Sequence, residues 1–251
     1  MSFHSFSVVF AIAITYLFVI VAGQVKLPAD VKTCKRGTDD YSSCLRLAIQ
    51  ESWPIFVKGI PELDVPILDP FYNEYGVYEF GSNEVHGKIE GSNIYFYGMN
   101  NIKFLAVRPE YTDDQFKLEI DWVLPKCFLE GEYNVDANLV NFKLGGKGYF
   151  NVSLEDVKVT WEINGPVKND RWVIEHFIPN PQVGKLKFWC SDLFNGNEQL
   201  TKSAVGFVNE FWPTIYRGMF PYIKKVWDEL FTDYINRIFS KLSFNEVFPS
   251  A

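Results

Sequence analysis

The chain has 251 residues, 47% hydrophobic and 22% charged, with a formal net charge of −7; that is ample for one large domain or two small ones and excludes wholesale disorder. An acidic balance with no Lys/Arg run excludes a nucleic-acid binder, because phosphate binding draws on clustered positive charge. The 23 Phe, 13 Tyr and 7 Trp call either for an unusually aromatic core or for an apolar ligand to cover them.

From Val8 to Ala22 the chain is apolar but for Thr15 and Tyr16, too short for the roughly 20 residues of a membrane-spanning helix. The run reads as the core of a signal peptide over residues 1–23, cleaved after Gly23, which leaves one secreted domain over residues 24–251. No Lys or Arg precedes Val8, so an uncleaved anchor is the alternative. In an oxidising compartment the four cysteines become informative. Cys34 and Cys44 would close a small loop, and Cys127 and Cys190 could staple two strands if those strands are adjacent. Zinc is the rival, but the spacings have no finger-like pattern and the mature chain keeps only His86 and His176.

Asp40 can cap a helix from Tyr41 to about Val57, with Leu45, Ala48, Ile49, Trp53 and Phe56 on one stripe and Pro54 bending its last turn. Gly59 stops it, and the proline-punctuated passage from Gly59 to Pro70 should be extended. From Phe71 to Phe194 the pattern is that of strands. Phe116, Leu118, Ile120 and Trp122 alternate with Lys117, Glu119 and Asp121, giving a sheet with one dry face. Phe150, Val152 and Leu154 begin a second alternation that resumes on Val157, Val159, Trp161 and Ile163. The slip at Glu155-Asp156 predicts a β-bulge in a long bent strand. Further strands are expected near residues 93–97, 103–108, 131–139, 171–178 and 183–194. Asn151-Val152-Ser153 is an N-glycosylation sequon that, if used, puts Asn151 on the surface.

After Asn197, a plausible cap, the period becomes helical from Leu200 to Leu242, with Pro213 and Pro221 expected to kink or interrupt the helix. One apolar helix face and one curved antiparallel sheet predict an α+β fold in which the sheet wraps the long helix and leaves room for a hydrocarbon-like guest. Phe207, Phe211, Trp227 and Phe231 could line that space or simply fill it.

Signs of catalysis are absent. There is no nucleophile elbow, metalloprotease helix motif or Walker lysine loop, and Gly145-Gly146-Lys147-Gly148 reads as a turn. His86 and His176 fall in or beside strands, where a solvated imidazole is the plainer reading than a general base.

Several residues carry a family likeness. Leu27-Pro28 ahead of Cys34, the Cys34 to Cys44 loop, Gly59-Ile60-Pro61-Glu62-Leu63 leading to Leu68-Asp69-Pro70, Gly131-x-Tyr133, Gly146-x-Gly148, and Leu193-Phe194-Asn195-Gly196-Asn197 before a long helix occur in that order. Together they resemble the insect takeout and juvenile hormone-binding protein family across essentially the whole mature chain. The resemblance implies a super-roll, a highly curved antiparallel sheet around a long C-terminal helix of the tubular lipid-binding type, with a hydrophobic guest in an internal tunnel. It also implies a Cys34–Cys44 disulfide. Cys127 and Cys190 depart from the family pattern, in which a second bridge lies later in the chain. Near Gly148 this sequence lacks the tyrosine that hormone binders offer to their ligand, so it looks closer to the takeout branch, whose roles run to feeding, circadian output and chemosensation.

The resulting expectation is a secreted, extracellular, non-enzymatic carrier of a long apolar molecule (terpenoid, fatty acyl or quinone-like), with no metal, cofactor, nucleic-acid partner or stable membrane insertion. Its ligand wall would be Trp53, Phe56, Leu118, Ile120, Trp122, Val159, Trp161, Phe207, Phe211 and Ile215. The alternative is a secreted interaction or signalling protein with a filled core.

Overall fold

The computed structural model describes residues 25–81, 85–139 and 142–251, so the expected signal peptide lies outside the described residues. Helix α1 spans Tyr41–Val57 and runs through Pro54, burying Leu45, Ala48, Ser52, Trp53 and Val57. The expected side-chain cap is not made: Asp40 supplies its backbone carbonyl, which accepts from the Cys44 N–H at 2.8 Å and the Ser43 hydroxyl at 2.8 Å. Cys34 and Cys44 form a disulfide that ties the incoming chain to the first turn of α1. Where an extended passage is expected after Gly59, Pro61–Leu63 winds into a single 3-10 turn. Proline suits the first position of such a turn, where its missing N–H would have no partner.

Eight strands form one antiparallel sheet: β1 (Phe71–Gly81), β2 (Val85–Tyr97), β3 (Lys103–Thr112), β4 (Gln115–Leu139), β5 (Phe142–Lys168), β6 (Arg171–Trp172), β7 (His176–Gln182) and β8 (Lys185–Cys190). β4 and β5 are the long spine. β2 and β3 share one side of β4, while β7 and β8 share the far side of β5. The glycine run 145–148, expected to be a turn, is instead part of β5.

Where a bulge is expected at Glu155-Asp156, β4 and β5 pair without a register shift; what changes there is the facing. Asp156 takes a left-handed φ of 56°, and two successive residues there face outward before the buried set resumes at Val157. Opposite it, Pro125 and Lys126 are both exposed between buried Leu124 and Cys127. Both strands therefore change facing at the same level, while the register runs unbroken from Leu124↔Val157 to Lys126↔Glu155. The disturbance continues outward: β7 gives way to β8 at Val183-Gly184 on one side, and β2 gives way to β3 through residues 98–102 on the other. A belt of irregularity thus divides the sheet into a lower half (β3, β7 and the adjoining parts of β4 and β5) and an upper half (β1, β2, β8 and the rest). Bulges increase local twist, which is how so long a sheet curls.

Helix α2 spans Glu198–Phe239, about 63 Å at 1.5 Å per residue, and contains both Pro213 and Pro221 without interruption. Asn197 caps it as expected, its side-chain oxygen accepting from the Leu200 N–H at 3.0 Å. A short helix α3, Phe244–Val247, follows. The result is a curled antiparallel half-barrel with a long C-terminal helix lying mainly along β7 and β8.

Polar side chains stitch the helices to strand edges and to the backbone beside them. Gln50 of α1 donates to the Ile102 carbonyl at 3.3 Å and accepts from the Phe104 N–H at 2.9 Å. Asn209 of α2 does the same to both backbone groups of Phe188, each at 2.8 Å. Asn236 holds Ile174 through its N–H at 2.8 Å and its carbonyl at 2.7 Å. Asp228 and Thr232 both accept from the Phe177 N–H at 2.9 Å. An unpaired edge is both an unsatisfied set of polar groups and a template for misassembly; these residues satisfy it with a helix.

The remaining cysteines are unpaired and buried, which corrects the expectation that Cys127 and Cys190 could form a bridge. Cys127 sits on β4 opposite Leu154 of β5, and Cys190 on β8 opposite Phe150 of β5. A whole strand stands between them, about 10 Å of lateral spacing before their offset along the strands is added, beyond disulfide reach.

Candidate functional site

The dry face of the sheet carries two cores with a gap between them. In the lower half Trp53 of α1 packs on Phe104 of β3 and Trp161 of β5, with ring centroids 5.2 and 6.2 Å apart. Trp161 continues to Trp122 at 5.2 Å and Phe177 at 5.6 Å, and Phe177 reaches Phe231 of α2 at 5.4 Å. Leu118, Ile120 and Val159 are buried in this cluster and Phe56 packs against it. Phe116, Trp172, Phe244 and Phe248 seal its end. The upper core is smaller: Tyr133, Val135, Ala137 and Cys190, with Ile89, Phe150, Phe188 and Val205 packed around them.

Between the cores, one row crosses four strands in register: Phe96 on β2, Leu129 on β4, Val152 on β5 and Phe188 on β8. All four are half-buried. Leu154 and Leu186 form the next row, also half-buried. Leu129, Val152 and Leu186 belong to neither core.

Facing solvent on α2 are Phe207 and Phe211, 57% and 45% exposed, with ring centroids 4.9 Å apart. At 100° per residue, Phe207, Phe211, Ile215 and Tyr222 fall within about 80° of one another, away from Asn209 and Tyr216. Those last two bond to Phe188 and to the Pro181 carbonyl. The apolar stripe therefore lies at the level of the Phe96–Phe188 row but is turned away from the strand edge the helix is sewn to. The half-buried row and the exposed stripe together leave apolar surface uncovered at this level.

The sequence-derived wall thus divides. Trp53, Phe56, Leu118, Ile120, Trp122, Val159 and Trp161 come together, but as the packed lower core. Phe207, Phe211 and Ile215 stand apart on the helix stripe. The sequence-derived wall does not include Phe96, Leu129, Val152, Leu154, Leu186 or Phe188; the alternation in residues 126–139 and 142–155 was a signal for the apolar set, but cross-strand pairing was not readable.

Burial pushes the Cys127 thiol up to about 11 and raises Cys190 and Tyr133 as well, so neither thiol is an activated nucleophile. His86 and His176 are exposed, the latter bonded through Nδ1 to Asp228 at 2.8 Å. Among the described residues no group of three His, Cys, Asp or Glu is placed to hold a metal, and no helix is long and apolar enough to cross a membrane.

Three of the motifs that carried the family likeness, Gly131-x-Tyr133, Gly146-x-Gly148 and the run from Leu193 to Asn197, meet in space. Residues 191–194 cross over β5 where Gly146 and Gly148 leave room: a Cβ at Gly146 would lie 2.6 Å from the Asp192 carbonyl, and one at Gly148 would collide with the Ser191 hydroxyl. Tyr133 donates its hydroxyl to the Asp192 carbonyl and accepts from the Asp192 N–H. The Asp192 carboxylate accepts from the Phe194 and Gly196 N–H groups, each at 2.9 Å, and turns the chain into α2. These residues are the joint that fastens the long helix to the sheet.

The family profile described as "Haemolymph juvenile hormone binding protein (JHBP)" matches residues 9–249. The chain belongs to the takeout and juvenile hormone-binding protein family. It is 26% identical over 231 residues to the circadian clock-controlled protein daywake of Drosophila melanogaster, covering 88% of each chain. The Drosophila yakuba protein of that name is 25% identical over 233 residues, covering 89% of this chain and 88% of its own. Takeout 1 of Epiphyas postvittana superposes with a TM-score of 0.67 at 18% identity, over 87% of this chain and 99% of that one. Takeout 1 thus shares the half-barrel and its long helix, and the family so described is one of binding proteins.

Proposed function

We propose that this family member is a secreted carrier that holds a long apolar molecule along the trough between the Phe96–Phe188 row and the Phe207–Phe211 stripe. The supporting observation is that both walls are apolar and left half-covered at the same level, while the ends of the sheet are filled. An isoprenoid or fatty acyl chain losing some 300 to 400 Å² of apolar surface there gains about 8 to 10 kcal/mol gross at 25 cal/mol per Å², less the cost of ordering. Before that cost the gross gain corresponds to a Kd of about 1 μM to about 50 nM, which bounds the affinity reachable without polar contacts. Secretion accords with the Cys34–Cys44 disulfide and with relatives described as haemolymph proteins, and the two clock-controlled relatives make circadian physiology the setting to examine first.

Native mass spectrometry of protein secreted from insect cells, followed by solvent extraction, is the direct test. The carrier reading requires a bound small apolar molecule that extraction releases. Protein that arrives empty and binds no added fatty acid or terpenoid supports the interaction-protein reading instead.

A further inference from the structure

The outer face of the upper half-sheet carries an aromatic patch that the carrier reading does not use. Across four strands the register sets Tyr95, Glu130, Asn151 and Trp189 in one row, and Tyr97, Phe128, Ser153 and Lys187 in the next. Trp189 is 49% exposed, Phe128 45% and Tyr149 62%. Asn151 and Ser153 lie side by side on this face, two residues apart on one strand, and both line each of two adjoining depressions of about 400 and 560 Å³. One depression runs to Tyr97 and Phe128, the other to Trp189. The Asn151 carboxamide donates no hydrogen bond within the described residues. Directly opposite cross-strand positions have Cβ atoms about 4.5 to 5.5 Å apart, so whatever is attached to Asn151 meets the Trp189 ring at once.

We propose that Asn151 carries an N-linked glycan whose first N-acetylglucosamine lies over Trp189 and Phe128, making those rings a built sugar platform. Transfer takes place on the extended chain in the secretory lumen, before β4, β5 and β8 pair. The Asn151 amide nitrogen attacks the anomeric carbon of a dolichyl-pyrophosphate-linked oligosaccharide. The N–C1 bond forms, the C1–O bond to pyrophosphate breaks, dolichyl pyrophosphate departs, and the amide proton goes to the transferase; no oxidation occurs. Once the sheet forms, the apolar face of the sugar ring covers the aromatic faces while its hydroxyls stay wet, with Glu130 available as an acceptor. The large exposed aromatic area is thereby covered by part of the same molecule. The proposal depends on entry into the secretory lumen and not on what the trough holds.

The test uses the full chain secreted from cells that make only oligomannose glycans, trimmed by endoglycosidase to a single sugar. Intact mass should show one N-acetylhexosamine on the wild type and none on Ser153→Ala. The trimmed wild type should melt at least about 2 °C above Ser153→Ala, and that gain should disappear in a Trp189→Ala, Phe128→Ala background. With isotope-labelled sugar, the acetyl methyl resonance should show an upfield ring-current shift in the wild type that Trp189→Ala removes. Trp189→Ala and Phe128→Ala can also be compared singly, so misfolding of one variant does not remove the test. An unglycosylated secreted chain overturns the proposal. So does a glycan whose acetyl resonance sits at its free position and whose stabilising effect is the same with and without the two rings.

Discussion

Asp170 shows how one side chain fixes the end of the chain. It sits in a turn with a φ of 59°, and its carboxylate accepts from the Ser243 hydroxyl and from the backbone and side-chain N–H groups of Asn245, both at 2.9 Å. These bonds, the Ser243 contact foremost, hold its pKa below the ordinary 3.8. A carboxyl lowered in the folded state stabilises fully above its unfolded pKa and loses that contribution as the pH falls through the folded one. Asp170→Asn should therefore have a lower melting temperature than wild type at neutral pH and a shallower decline as the pH falls below the ordinary carboxyl range. Melting curves across that range decide it. Lys117 and then Arg108 hold the Glu119 carboxyl below its ordinary range, and Arg108 does the same for Asp121; replacing Arg108, which bridges both on the outer face, should therefore lower stability at neutral pH and make the acid limb of the melting-temperature curve shallower where those two titrate.

At the scale of elements, α2 has two faces with separate duties. Its sheet-facing side is sewn to strand edges by Asn209 and Asn236, polar residues of low helix propensity that the apolar periodicity does not explain. Replacing either with Leu leaves a backbone N–H and carbonyl without partners. Each change should reduce stability by about 1 to 2 kcal/mol, and because the sites are far apart the two should add; urea titration of the single and double variants checks this. The other side carries Phe207 and Phe211. Both are so exposed that Phe207→Ser and Phe211→Ser should alter stability by no more than about 0.5 kcal/mol, yet the pair should weaken binding of a fluorescent fatty acid at least about tenfold. Trp161→Ala is the control: it empties a ring that touches Trp53, Phe104, Trp122 and Phe177 and should lower stability by about 3 kcal/mol. Equal loss of binding in both sets would place the guest in the lower core instead.

For the whole molecule, an open half-barrel with two filled ends should be tightened by its guest. A ligand that binds only the folded state at a hundred times its Kd adds about 2.7 kcal/mol, which for a chain of this size raises Tm by roughly 5 to 10 °C. Differential scanning calorimetry of delipidated protein with and without a saturating long-chain acyl ligand reads this directly. The same experiment with Phe207→Ser, Phe211→Ser protein should show the shift much reduced.

Local and periodic features were legible in the sequence. The stripe from Leu45 to Trp53 gave α1, the alternation from Phe116 to Trp122 gave part of β4, the slip at Glu155-Asp156 marked a real change of facing, and Asn197 capped α2. Each is settled by the covalent spacing of side chains within one element, which the sequence contains in full. Tertiary structure alone decided what lies across a strand or beside an edge. It brought Pro125 opposite Asp156, so that both strands change facing within one register, and placed Cys127 and Cys190 on either side of β5, beyond disulfide reach. It packed the three tryptophans as core, left Phe207 and Phe211 bare, and assembled the Phe96–Phe188 row from four distant segments. Pairing partners are chosen by long-range burial and hydrogen bonding among strands that are remote in the chain, and no single segment carries that information.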